Sequence, residues 1–219
     1  MVEKLIGYEF NNKGLLEKAL THPSAVKKGE PHYERLEFLG DAVLDIVISE
    51  YLFNRYKDEQ EGALAKRRSA LVRRETLGEI SYKLGLGEYL RLGRGEEASG
   101  GRENRTNLAN VFEAIIGAMY LDGGLDPSKE FLLPLFMPLA ETMNEPPKDP
   151  KTSLQEWAQG NKKPLPIYKV VKEEGPSHSP QFTVEVEVEG EKAIIGKGSS
   201  KREAEQEAAR AFLQGIKSA

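Results

Sequence analysis

Residues 34–43 have the sequence Glu-Arg-Leu-Glu-Phe-Leu-Gly-Asp-Ala-Val, which combines an apolar helical pattern with a row of acids. Glu34, Glu37 and Asp41 are three and four residues apart, so on a helix their carboxylates lie on one face. Neighbouring like charges destabilise a helix by roughly a few tenths of a kcal/mol per pair, which favours a cation bound against this face. A solvated acidic surface is the alternative interpretation. Gly40 costs about 1 kcal/mol relative to alanine in mid-helix, which indicates that something packs closely against the backbone there.

A second pair of oxygen-bearing side chains lies much further along the chain, in the segment Asn110-Val-Phe-Glu113. Both residues fall on one face of a helix predicted from near Thr106 to Leu121. Hard divalent cations such as Mg²⁺ take carboxylate and carbonyl oxygens, with water and substrate phosphate completing the shell. Two helices that each supply such a pair would suit Mg²⁺, although spacing alone does not show that the pairs meet.

The composition limits the classes of protein and of site. The chain has 219 residues, a formal net charge of −4 and no cysteine. Disulfides and thiolate metal sites are therefore excluded, and a metal would be held by oxygen or imidazole. The first residues lack a secretory apolar core, and no stretch approaches the about 20 apolar residues of a membrane span. These features predict a cytoplasmic protein with no membrane partner. The negative charge argues against nucleic-acid binding unless the basic side chains are grouped.

Helical periodicity runs through the first ~140 residues and predicts an all-α N-terminal domain. Apolar positions with helical spacing fall in the segments 15–20, 36–47, 64–72, 77–84, 108–121 and 131–143. The polar, glycine-rich stretch 93–107 is predicted as a mobile loop. Three prolines lie in the segment 145–150, and because proline cannot continue a helix, this segment is predicted as a stiff linker and domain boundary.

The period changes after the linker. Residues 152–159 have a helical pattern with Thr152 as a candidate cap, whereas residues 168–172 and 182–189 alternate in steps of two. Residues 192–197 supply a candidate third strand, and a final helix is predicted from about residue 200 to 215. The order predicts a small α+β domain (α-β-β-β-α), in which both helices cover one face of an antiparallel sheet.

The negative net charge argued against nucleic-acid binding, but the placement of charges in this second half removes that argument. The range Asp149–Lys217 contains eleven basic and eleven acidic side chains, so it is neutral as a whole. Glutamates alternate with valines over 185–189, which predicts an acidic sheet face turned away from any bound nucleic acid. Lys197, Lys201 and Arg202 gather around the start of the last helix, where backbone N–H groups and the helix dipole attract phosphate.

Several motifs, in the right order, resemble the ribonuclease III family. The segment 34–42 is similar to the family signature, and the further matches are Thr21-His-Pro-Ser24, Gly93–Arg102, Ala109–Ala114 and Ala118–Gly124. The second half resembles a double-stranded RNA-binding domain at Thr152–Glu156, Gly175–Ser179 and Gly196–Ala209. The resemblance covers essentially the whole chain. It implies an endonuclease and dimerisation domain over residues 1–145, a linker over 146–150 and a double-stranded RNA-binding domain over 151–217.

The resemblance also implies an activity. Family members are endoribonucleases that hydrolyse phosphodiester bonds in double-stranded RNA with Mg²⁺, for which Mn²⁺ can substitute, and need no small-molecule cofactor. The endonuclease domain would form a homodimer through the signature helix and leave 5′-phosphate and 3′-hydroxyl ends with short overhangs. Ribosomal RNA precursors and structured messenger RNA would be typical substrates.

The metal ligands implied by the resemblance are four residues, which here are Glu37, Asp41, Asn110 and Glu113. Glu34 corresponds to a family acid near the cleavage site, so Asp41, Glu113 and Glu34 are the expected catalytic residues. The chain departs from the family pattern at Asn110, where the family has aspartate. A charge about 4 Å from another is worth roughly 4 kcal/mol at an effective dielectric constant of 20. The asparagine is therefore either a tolerated ligand or a change that weakens Mg²⁺ binding, which would leave a double-stranded RNA-binding protein with impaired catalysis.

The resemblance assigns RNA contacts as well. Double-stranded RNA-binding domains grip an A-form duplex by shape, across two minor grooves and the phosphates between them. One minor-groove contact is expected from Thr152, Gln155, Glu156 and Gln159, the next from His178, and phosphate contacts from Lys201 and Arg202. The alternatives are an ordinary helix start, a loop histidine and a solvated helix terminus.

Overall fold

The computed structural model describes residues 2–146, 149–175 and 180–217. The chain divides into two compact units, Met1–Pro147 and Lys148–Ala219. The first unit is helical, as predicted. Its helices are α1 (Val2–Ile6), α2 (Lys13–Ala19), α3 (Glu34–Arg55), α4 (Glu61–Leu71), α5 (Arg74–Lys83), α6 (Arg94–Ala98), α7 (Arg105–Gly123) and α8 (Leu125–Glu141). Within the described ranges, no helix is long and apolar enough to cross a lipid bilayer.

Helices α3 and α7 form the centre of the first unit, and they cross without side chains between them. A Cβ atom added to Gly40 of α3 would lie 1.7 Å from the backbone oxygen of Glu113 on α7. One added to Gly117 would lie 2.2 Å from the backbone oxygen of Leu36. The close packing predicted from Gly40 is thus confirmed, and the group that packs there is the backbone of α7.

The stretch predicted as a loop, residues 93–107, contains the short helix α6 and a network of hydrogen bonds. The guanidinium of Arg102 donates to the backbone oxygens of Gly87 and Leu90, over 2.9 and 2.8 Å. The amide of Asn107 donates to the backbone oxygen of Gly101 over 3.0 Å. The sequence prediction missed α6 because a helix of five residues is too short to show periodicity.

A buried arginine holds the C-terminal end of the first unit in place. Arg67 of α4 is only 1% exposed and forms a two-pronged ion pair with Glu59, with nitrogen–oxygen distances of 2.8 and 2.6 Å. Its guanidinium also donates to the backbone oxygen of Met143 over 2.6 Å and stacks on the ring of Tyr56. These contacts hold the chain just beyond α8 against the ends of α3 and α4.

The second unit consists of helix α9 (Pro150–Gly160), strands β1 (Ile167–Glu174), β2 (Gln181–Glu187) and β3 (Ile194–Gly198), and helix α10 (Lys201–Lys217). The strands form an antiparallel sheet in the order β1-β2-β3. Apolar side chains of α9, β2 and α10, among them Leu154, Val186 and Phe212, share one core. This α-β-β-β-α arrangement confirms the predicted fold class.

The start of α9 differs from the prediction. Thr152 is not the cap, because Asp149 precedes the helix and its side chain accepts the backbone N–H of Thr152 over 3.0 Å. Pro150 is the first helical residue, a position where a missing N–H costs nothing. The helix therefore begins inside the segment predicted as linker. Asp149 also accepts a hydrogen bond from Gln206 of α10 over 3.0 Å, which ties α9 to α10.

Candidate metal and RNA-binding sites

The crossing of α3 and α7 brings the two predicted pairs of oxygen-bearing side chains together. Glu37 and Asp41 lie on α3 on either side of Gly40, whose backbone touches that of Glu113 on α7. Glu34 is exposed one turn before Glu37 on α3. The fold therefore brings together two pairs of side chains that lie far apart in the sequence.

Burial and neighbouring charges raise the pKa values of the carboxyl groups of Glu37, Asp41 and Glu113. Burial, and then the charges of Asp41 and Glu37, raise the pKa of Glu113 to about 7, although Arg74 partly offsets this. Burial and the charges of Glu34 and Asp41 raise the pKa of Glu37. Burial also raises the pKa of Asp41. Buried, neighbouring carboxylates oppose one another's ionisation, and a bound cation would favour their charged forms.

Asn110 takes part in a contact that sequence reasoning missed. Its side-chain nitrogen donates to the hydroxyl of Tyr33 over 3.4 Å. Tyr33 is only 2% exposed and immediately precedes α3. Its position next to Glu34 was visible in the sequence, but nothing in the spacing pairs it with Asn110. Arg74, at the start of α5, was missed for the same reason.

The donor set fits a divalent ion. Carboxylate and amide oxygens are the ligands that Mg²⁺ prefers, and Glu37, Asp41, Asn110 and Glu113 supply both kinds. Among the residues that the structure describes, no three His, Cys, Asp or Glu side chains form a cluster able to hold a metal by themselves. Water or RNA phosphate would complete the shell of an ion held at this helix crossing.

The predicted RNA-contacting residues of α9 form one stripe. They are all exposed, and their spacing of three, four and seven residues places them on one face of the helix: Thr152, Gln155, Glu156 and Gln159. The opposite side of α9 carries the buried side chains of Leu154 and Ala158. The stripe is therefore free to meet a ligand without disturbing the core.

The predicted phosphate contacts lie at the start of α10. Lys201 and Arg202 are exposed in its first turn. The hydroxyl of Ser200 accepts the backbone N–H of Glu203 over 3.2 Å, and the carboxylate of Glu203 accepts the backbone N–H of Ser199 over 2.7 Å, a variant of the capping box. His178 lies outside the described residues. The alternating glutamates of β2 are half-buried on the sheet face opposite the core, which agrees with the predicted acidic face.

A second surface of the first unit is apolar and exposed. On α3, Phe38 is 82% exposed, Phe53 is 70% exposed and Ile46 is 55% exposed. A groove of about 710 Å³ lies beside Ile46 and Phe53, and it is lined also by Leu64 of α4 and by charged residues, among them Glu61 and Arg68. Apolar side chains this exposed on a folded unit indicate a surface for association.

Comparisons with known proteins agree for both units. A family model described as Ribonuclease-III-like matches residues 12–139, and the Double-stranded RNA binding motif matches residues 150–216. The Ribonuclease 3 of Wolbachia pipientis wMel is 47% identical over 219 residues, covering 98% of this chain and 94% of that protein. The Ribonuclease 3 of Ehrlichia chaffeensis is 48% identical over 217 residues, with coverage of 98% and 96%.

The first unit also matches a solved structure. The nuclease domain of Ribonuclase III from Campylobacter jejuni superimposes with a TM-score of 0.60 and 44% identity, covering 63% of this chain and 94% of that one. The chain therefore belongs to the ribonuclease III family, whose members are divalent-metal-dependent endoribonucleases that cleave double-stranded RNA.

Proposed function

We propose that this chain cleaves double-stranded RNA at the junction of α3 and α7, with Glu37, Asp41, Asn110 and Glu113 holding a divalent ion. Mg²⁺ is the ion this oxygen donor set suits best, and Mn²⁺ can replace it. The observation that carries the proposal is Glu113, whose backbone packs against Gly40 and whose pKa is raised to about 7 by burial and the charges of Asp41 and Glu37. Such a carboxyl group is poised to ionise when a cation arrives.

The roles of the side chains follow from their placement. A divalent ion, when bound, supplies an activated water and neutralises charge that builds on the phosphate. Asp41 and Glu113 must be ionised to act as ligands, so Glu113 gives up its proton when the site is loaded. Glu34 is exposed one turn before Glu37, where it can accept hydrogen bonds from RNA 2′-hydroxyls near the scissile bond. The products would carry 5′-phosphate and 3′-hydroxyl ends.

The second unit supplies affinity for the duplex. The stripe on α9 formed by Thr152, Gln155, Glu156 and Gln159 would contact 2′-hydroxyls in a minor groove, and His178 would contact the next minor groove. Lys201 and Arg202 would contact the phosphates between them. These contacts read the shape of A-form RNA with little sequence preference. The expected substrates are ribosomal RNA precursors and structured messenger RNA.

The exposed apolar side of α3 is the proposed homodimer surface. Phe38, Ile46 and Phe53 would be covered by a second copy, and the groove beside Ile46 and Phe53 offers a complementary recess. The Campylobacter jejuni structure concerns a region involved in dimer formation of the nuclease domain, which supports a homodimer formed by this domain. A dimer would carry two metal sites and so could cut both strands. The predicted cytoplasmic location belongs to the same proposal.

Cleavage of a labelled RNA duplex across a Mg²⁺ titration tests the metal site. The parent chain is compared with Asn110→Asp and with Glu113→Gln. We expect the parent to cut, Asn110→Asp to cut at lower Mg²⁺, and Glu113→Gln to bind the duplex normally without cutting. Normal cleavage by Glu113→Gln would refute the site.

The alternative function, a double-stranded RNA-binding protein with impaired catalysis, rests on Asn110 alone. The match over nearly the whole chain to proteins named Ribonuclease 3 does not favour it. The same titration separates the two functions. The alternative requires that only Asn110→Asp cuts, while the parent binds the duplex equally well.

The dimer surface is tested by sedimentation of the whole chain with Phe38→Glu. We expect this variant to be monomeric and the parent to be dimeric. A fragment of residues 1–145 should still dimerise, whereas residues 149–219 should bind duplex RNA as a monomer. A monomeric N-terminal fragment would contradict dimerisation through the endonuclease domain.

A further inference from the structure

Asn110 differs from the acids around it because only one of its two terminal atoms can hold a cation. A carboxylate offers two equivalent oxygens, whereas an amide offers one oxygen and one NH₂ group that only donates. A useful ligand at this position must keep its oxygen toward Glu37, Asp41 and Glu113. These carboxylates oppose that orientation in the absence of a cation, since they attract the NH₂ group and repel the oxygen.

The NH₂ group of Asn110 is engaged by Tyr33. The side-chain nitrogen of Asn110 donates to the hydroxyl oxygen of Tyr33 over 3.4 Å. Because this nitrogen is engaged by Tyr33, the oxygen of the amide is the atom left to bind a cation.

Tyr33 is itself held firmly in place. Its backbone N–H donates to the carbonyl oxygen of Thr21 over 3.0 Å, and its own carbonyl accepts the N–H groups of Leu36 and Glu37 at the start of α3. Its ring packs edge-on against the ring of His22, with 5.5 Å between centroids. A buried ring fixed at both ends gives its hydroxyl a constant position relative to the helix that carries Glu37.

We propose that Tyr33 is a positioning residue that fixes the amide of Asn110 with its oxygen toward the metal site. This arrangement makes an asparagine usable where the family pattern has aspartate. The inference rests on the metal site proposed above. It follows that the hydroxyl of Tyr33 matters when position 110 carries an amide and matters little after Asn110→Asp, because the two oxygens of a carboxylate are equivalent.

Mn²⁺ binding to the whole chain, followed by the electron paramagnetic resonance signal of free Mn²⁺, tests the proposal without relying on cleavage. The four proteins are the parent, Tyr33→Phe, Asn110→Asp and the double variant. We expect Tyr33→Phe to weaken Mn²⁺ binding about fivefold in the parent, the effect of losing one hydrogen bond of ordinary net strength. In the Asn110→Asp background, the same change should alter binding by less than about twofold.

Tyr56→Phe is the matched control, because it also removes a phenolic hydrogen bond, from Tyr56 to the carbonyl oxygen of Ala140 over 2.9 Å. Tyr56 lies just beyond the opposite end of α3, so this variant should bind Mn²⁺ like the parent. Equal weakening by Tyr33→Phe in both backgrounds, or none in the parent, overturns the positioning role. Mn²⁺ binding that Glu113→Gln leaves unchanged overturns the metal site and this inference together, so the two failures are distinguishable.

Discussion

Replacing Gly40 with alanine would place a methyl group where two helix backbones already touch. The added Cβ would lie 1.7 Å from the backbone oxygen of Glu113 and 2.9 Å from the backbone nitrogen of Gly117. Contacts under 3.0 Å do not occur for real Cβ atoms, and a backbone cannot turn aside as a flexible side chain can. Helices α3 and α7 would have to separate along their most buried contact.

Two opposing effects determine the change in the free energy of unfolding. Alanine is a better helix former than glycine by about 1 kcal/mol, so an unhindered exchange would stabilise α3. Overpacking a tight core costs about 1–3 kcal/mol, and more when the backbone must move. Because the clash here is with backbone, we take the overpacking cost as about 4 kcal/mol. Subtracting the about 1 kcal/mol gained in helix propensity leaves a net loss on the order of 3 kcal/mol, which corresponds to roughly 6–12 °C in Tm for a chain of this size.

Thermal unfolding followed by circular dichroism measures this loss, and Mn²⁺ binding measures its effect on the site. Because the clash lies at the backbone of Glu113, metal binding should fall as well. Gly62→Ala is the control: an added Cβ at this exposed position of α4 meets nothing within 4 Å, so it should be neutral or slightly stabilising. A Tm for Gly40→Ala equal to or above that of the parent would refute the reasoning.

Three further outcomes are expected. Because the folded, metal-free protein keeps a proton on Glu113 up to a pKa of about 7, against a usual 4.5, its stability should fall as pH rises from about 4.5 to 7. Glu113→Gln should flatten that fall in unfolding scans with chelator present, and an unchanged slope would contradict the assignment. Asp149→Ala removes the cap of α9 and the bond from Gln206, so the second unit should lose about 1–2 kcal/mol in denaturant titrations, whereas a change below the error would show the cap to be dispensable. Arg67→Met leaves Glu59 without its partner, so the first unit should lose on the order of 3 kcal/mol, and it should lose less when Glu59→Gln is added.

The metal-site residues could be predicted from the sequence only as two separate pairs. Spacings of three and four residues mark a shared helix face, so Glu37 with Asp41 and Asn110 with Glu113 were recognisable within their own helices. The cost of Gly40 in mid-helix further predicted a close approach at this point. Spacing within one helix says nothing about which other helix lies opposite, however. The hydrogen bond between Tyr33 and Asn110 depends on that tertiary arrangement and was therefore missed.

Local competition between similar residues explains the other differences. Thr152 and Asp149 are both good capping residues close to the start of α9, and the sequence prediction took the one nearest the apolar pattern. Asp149 caps the helix because Pro150 is well suited to the first helical position, which moves the helix start three residues earlier than Thr152 would require. The period of two in the strands, by contrast, depends only on alternation, and it located β1 and β2 to within a few residues.

Each side of α3 has a different structural or functional role, and this limits the substitutions that the helix tolerates. One side packs against α7 at Gly40, another carries Glu37 and Asp41, and the exposed side carries Phe38 and Phe53 at the proposed dimer surface. A substitution that is harmless to one task therefore remains constrained by the others. Helix α4 has several exposed positions that line no site, so it can accept substitutions that α3 cannot.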